Sequence, residues 1–97
     1  MIKRIVQMEF MPEKLDAFLA LFESVKSDIR SFPGCSHLEL WAHEMHPHIL
    51  FTYSIWESSA HLNAYRDSKL FEKTWAQTKV LFQAKPKAWS VRVLFNS

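Results

Sequence analysis

Ninety-seven residues with 12 basic and 10 acidic side chains, spread without blocks, carry a net charge of +2. That balance leaves no electrostatic footprint for nucleic acid or an anionic membrane, and no apolar run approaches the ~18 residues of a membrane span. A single glycine, Gly34, excludes the Gly-rich phosphate loops of Rossmann or P-loop proteins. Cys35 is the lone cysteine and has no internal disulfide partner, and no leader is read ahead of the first strand. The expectation is therefore one domain, 1–97, in a reducing cytoplasm. Four Trp and eight Phe are heavy for that length. A domain this small buries only about two-thirds of its unfolded surface, so burial against a second copy is a natural outlet.

In chain order, residues 2–11 alternate as a strand, with Val6, Met8 and Phe10 on one face. Pro12 and Glu13 suit a helix start. From Pro12 to Phe32, Leu15, Phe18, Leu19, Phe22, Val25 and Ile29 recur every three or four residues as one helical stripe. Pro33-Gly34 stops that helix and turns the chain. A second strand, about 36–45, sets Leu38, Leu40 and Ala42 against His37, Glu39, Trp41 and His43. His46-Pro47-His48 is the hairpin loop. A third strand, 49–56, alternates Phe51, Tyr53 and Ile55 with Thr52, Ser54 and Trp56. Ser58 is placed to cap a second helix, Asp67-Ser68 to kink or re-cap it, and Lys85-Pro86 to close it. A last strand, 87–95, follows.

The order β-α-β-β-α-β predicts an α+β, ferredoxin-like fold: an antiparallel sheet with its helices on one face. The sets Val6/Met8/Phe10, Leu38/Leu40, Phe51/Tyr53/Ile55 and Trp89/Val91/Val93 are expected toward the helices. The opposite face would hold Trp41, Trp56, Ile5 and Leu94 beside Thr52, Ser54 and Arg92. Tryptophans on an open sheet face predict a homodimer packed sheet to sheet.

The segments P-E-K-L-D-A-F-L, F-P-G-C at 32–35, F-T-Y-S-I-W-E-S at 51–58, A-Y-R-D-S-K-L-F at 64–71 and K-P-K-A-W-S-V at 85–91 carry a resemblance. Through them almost the whole chain resembles the antibiotic biosynthesis monooxygenase family of dimeric α+β-barrel proteins. The family includes quinol oxygenases, haem-degrading enzymes, signal-processing isomerases and members without an assigned reaction. Its haem-degrading branch uses an Asn on the first strand, with a Trp and a haem-ligating His on the second helix. Aligned on Trp56, those positions fall at Val6 or Gln7, at Tyr65 and at Trp75. None matches, and without the imidazole the axial iron ligand is missing.

By resemblance, then, the expectation is a monooxygenase of the quinol type, needing no cofactor and acting on a small aromatic or quinol-like substrate. The pocket would lie between helices and sheet. Tyr53 and Tyr65 would donate to a substrate oxygen, Trp75 and Trp89 would form flat walls, and Arg66 would meet an anionic substrate if turned inward. Each has a plainer reading: core packing for the aromatics, a solvated surface for Arg66. A non-catalytic ligand-binding dimer of the same fold is the alternative.

Other signals point to less. His43, His46 and His48 straddle a hairpin tip and lack the Cys or carboxylate that would complete a metal site, so they read as an exposed loop. His37 is expected near the dimer face, His61 in solvent, and Cys35 as an inert thiol. An RNA-binding sheet shares this topology, but no RNP1-like pattern or basic surround accompanies Phe51 and Tyr53.

Overall fold

The computed structural model describes residues 1–97 as seven main elements: β1 (Ile2–Glu9), α1 (Leu15–Arg30), β2 (Cys35–Ala42), β3 (Ile49–Trp56), α2 (Ser59–Arg66), α3 (Lys69–Lys79) and β4 (Lys87–Val91). A 3₁₀ turn over Pro12–Lys14 leads into α1. The strands form one antiparallel sheet in the order β2-β3-β1-β4, the ferredoxin-like arrangement. No helix is long and apolar enough to cross a membrane.

Two serines divide the second helical stretch. Ser58 Oγ accepts from His61 N at 3.2 Å and starts α2; Ser68 Oγ accepts from Phe71 N at 3.1 Å and starts α3. Each satisfies an amide that the helix itself leaves open. The chain breaks at Asp67, so 59–79 is two helices rather than one.

One end of the core is sealed by Met8, Phe10, Phe18 and Leu50, with Phe10 fully buried and stacked on Phe18 at 4.3 Å. Phe82 closes over Phe10 at 5.3 Å. A second cluster joins Cys35, Trp56 and Leu62. On α1 the inward stripe takes Leu21 along with Phe18, Phe22, Val25 and Ile29, whereas Leu19 is exposed.

The strand faces differ from the expectation in β3 and β4. Register locks Val6 beside Thr52 and Ala88, and Arg4 beside Ser54 and Ser90. These residues share the helix side with Met8, while Ile5 pairs with Tyr53 and Trp89 on the outer face. Thus Thr52, Ser54 and Trp56 face the helices, and Phe51, Tyr53, Ile55, Trp89 and Val91 face away. Trp56, expected on the outer face, is instead 1% exposed and donates its Nε1–H to Ser54 Oγ at 2.9 Å. Both faces of β3 carry aromatics, so alternation alone does not name the buried one. The expected strand to Phe95 also stops early. Lys3 pairs with Val91, and β1 begins at Ile2, so later residues lack a partner strand.

Candidate functional site

The small side chains that face the helices leave space between the two layers. A cavity of ≈ 300 Å³ lies there, floored by Val6, Met8, Thr52, Ser54 and Ala88 and roofed by Phe18, Leu21, Phe22 and Val25 of α1. About 150 Å³ already accommodates benzene, so this space suits a body of roughly two fused rings.

One wall is a run of aromatic contacts. Trp56 stacks on Tyr65 at 4.9 Å, Tyr65 meets the edge of Phe71 at 5.3 Å, and Phe71 stacks on Trp75 at 5.8 Å with only 9° between planes. The break at Asp67 makes this possible. Tyr65 comes from the last turn of α2 and Phe71 from the first of α3, and Ser68 holds the joint by donating to Tyr65 O at 2.5 Å.

Of the residues expected to form the site, Tyr65, Trp75 and Arg66 line the cavity. Tyr53 and Trp89 do not. They lie on the outer sheet face, where Lys3 Nζ donates to the Tyr53 hydroxyl and Trp41 stacks on its ring at 4.9 Å. Their expected roles as hydrogen-bond donor and wall in this cavity are corrected accordingly, for the register reason given above. Sequence reasoning missed Arg4 and Trp56. The signal for Arg4 was available: it sits two residues before Val6, hence on the same face of β1.

Tyr65 is electrostatically distinctive. Burial, with a smaller contribution from neighbouring Cys35, pushes its hydroxyl up to about 12. It is therefore neutral across the physiological range and acts as a donor, not as a base. Burial likewise pushes the Cys35 thiol up, leaving it protonated and free. Arg4 is shifted down, first by burial and then by the charge of Arg66. No His, Asp, Glu or Cys lines the cavity, so its side-chain donors for a ligand are hydroxyls, guanidiniums and the Trp75 indole N–H. No three His, Cys, Asp or Glu side chains converge elsewhere in a metal-holding arrangement. His43 instead organises its own loop, with Nδ1 accepting from Met45 N at 3.1 Å and His46 N at 3.2 Å.

The sequence matches the model of the family described as "Antibiotic biosynthesis monooxygenase" over residues 1–77, most of the chain. The chain belongs to that family. Solved structures agree in fold. One titled as an antibiotic biosynthesis monooxygenase superposes with a TM-score of 0.91 at 19% identity, covering 97% of this chain and 99% of the other. A protein of Mycobacterium tuberculosis does so at 0.89 and 19% identity, over 99% and 97% of the two chains. A conserved protein from Methanosarcina mazei Go1 gives 0.89 and 19%, over 94% and 90%. Among curated proteins no sequence match was found. The family match ends inside α3 of this chain, while the structural likeness continues through β4.

Proposed function

We propose that the protein is a cofactor-independent monooxygenase that oxidises a small aromatic or quinol-like substrate in the cavity between helices and sheet. The observation that carries this reading is the apolar cavity with a stacked aromatic wall and one neutral phenol, Tyr65, set among its lining residues. Trp75 and Phe71 offer a flat surface to an aromatic ring. Tyr65 donates a hydrogen bond to the substrate oxygen, and Arg66 adds positive charge.

The chemistry balances without a further reductant. A substrate phenolate gives one electron to O₂, and the aryloxyl and superoxide radicals combine to a carbon-bound peroxide. That peroxide loses water to leave a quinone carbonyl. One oxygen atom enters the ring, the other leaves as water, and all four electrons come from the substrate. The protein's part is to bind the anion, hold it in place and exclude bulk water.

The test is O₂ uptake with a panel of dihydroxynaphthalenes and catechols. Uptake is expected with at least one of them, and Tyr65→Phe should lower kcat by about 10²-fold, the scale for losing one oriented donor. A second reading is a ligand-binding protein without catalysis. It is favoured by the absence from the lining of any group that exchanges a proton near neutrality. Binding without O₂ uptake, indifferent to Tyr65→Phe, would select it.

In either case we propose a homodimer formed through the outer sheet face, with the buried free Cys35 suited to a reducing cytoplasm. Trp41, Trp89 and Val91 stand exposed on that face, and Val93, Leu94 and Phe95 of the tail after β4 are exposed as well. An apolar surface of this extent favours burial against a second copy.

A further inference from the structure

We propose that Arg4 and Arg66 together form an oxyanion-binding head for the cavity, so that its ligand is an amphipathic anion with a flat apolar body and one carboxylate or phenolate group. The inference rests on the reading above that this cavity is the ligand site, but not on any oxidation taking place there.

The floor contributed by β1 is polarised. Arg4, Val6 and Met8 follow one another along it, from a guanidinium to the sealed cluster around Phe10. A ligand entering this space meets charge at one end of the strand and apolar side chains at the other. Arg66 reaches the same cavity from the last helical residue of α2. Two cations thus serve one cavity whose lining contains no carboxylate.

Neither cation is neutralised elsewhere. The ion pairs of the chain are Lys26–Glu23, His37–Glu39 and His61–Glu57, and none involves Arg4 or Arg66. Arg4 Nη1 donates only to the neutral Ser90 Oγ, at 3.1 Å. Partial burial and the neighbouring charge both disfavour the Arg4 guanidinium, and the negative charge of a bound anion offsets both. Guanidinium forks also match a planar oxyanion by geometry, which lysines would not. In a phenol substrate the same pair would favour the phenolate, the proton passing to solvent water as the ligand binds, so that ionisation would need no protein base.

Binding of 2-naphthoate and of its neutral counterpart 2-naphthylmethanol to the full chain, followed by calorimetry and tryptophan fluorescence, tests this directly. The acid should bind at least about tenfold more tightly, the scale of a charge-assisted hydrogen bond. Arg66→Gln and Arg4→Gln should each reduce that preference severalfold or more while leaving the alcohol's affinity in place. Arg66 is exposed, so its variant keeps the test interpretable if Arg4→Gln folds poorly. Trp75→Ala should weaken both ligands. Equal affinities for acid and alcohol, or arginine variants that weaken both alike, would overturn the inference. Retained acid preference without O₂ uptake from any quinol would sink the oxygenase reading alone. Failure of both ligands to bind would remove the cavity reading and this inference with it.

Discussion

Tyr65 sits where burial, aromatic stacking and the cavity meet, and its protonation links site to stability. Burial pushes its hydroxyl up to about 12 in the folded chain, against 10.0 for an unperturbed tyrosine. The folded state therefore holds its proton more tightly than the unfolded state. The resulting stabilisation is fully present below pH 10 and is lost as pH rises toward 12. A rise of this size corresponds to roughly 2–3 kcal/mol. Denaturation of wild type and Tyr65→Phe between pH 8 and 12 should show the alkaline loss shrinking by about that amount in the variant. A tyrosinate absorbance absent from the variant and rising at pH 10 would contradict it. At this scale Tyr65 and Trp75 were legible as cavity candidates because helical spacing sets a side chain's face, whereas Arg66 was expected there by resemblance and only if turned inward. Tyr53 and Trp89 were not, because period-two alternation names two faces without saying which is buried.

The elements depend on how the turns between them are made, and the turn into β2 is the tightest. Gly34 has φ +89°, in the left-handed region that side chains disfavour. A Cβ placed there would also fall inside contact distance of the His61 side chain on α2. The next residues carry a register irregularity between Cys35 and His37, which lets Cys35 join the core with Trp56 while His37 points outward. Gly34→Ala should cost about 2–4 kcal/mol from backbone strain and displaced packing, lowering Tm by more than about 10 °C in a domain this size. A melting temperature within a few degrees of wild type would show the turn to be adaptable. Pro33-Gly34 was readable as a helix stop. The bulge after it was not, since it is set by how β2 must pair with β3.

For the whole molecule, the proposed homodimer rests on the outer sheet face. Trp41 stacked on Tyr53, the Lys3–Tyr53 hydrogen bond and the His37–Glu39 pair form an ordered cluster there. Hydrogen bonds from His37 and then Trp41 hold the Glu39 carboxyl below its usual range, so it carries its charge at neutral pH. A face with aromatic and paired polar groups suits a specific partner better than bare solvent. Light scattering at micromolar concentration should give twice the chain mass. Trp41→Glu combined with Val91→Glu should give the chain mass with unchanged helical circular dichroism. A monomeric wild type would refute the dimer. Trp56 is no probe of this interface, being buried inside its own protomer.

The sequence by itself determined the element order, the sheet with helices on one side, the caps at Ser58 and Ser68, and membership suggested by segments such as F-P-G-C. Those features depend on local spacing and on residues whose backbone preferences act within a few positions. Only the tertiary structure decided which face of β3 and β4 meets the helices, and with it the contents of the cavity. The physical reason is that both faces are apolar enough to be buried. Strand pairing, anchored by Trp56 on Tyr65 and by Val6 beside Thr52 and Ala88, breaks the tie by putting small side chains under the helices. The space they leave is the cavity, and Arg4 enters it by the same parity.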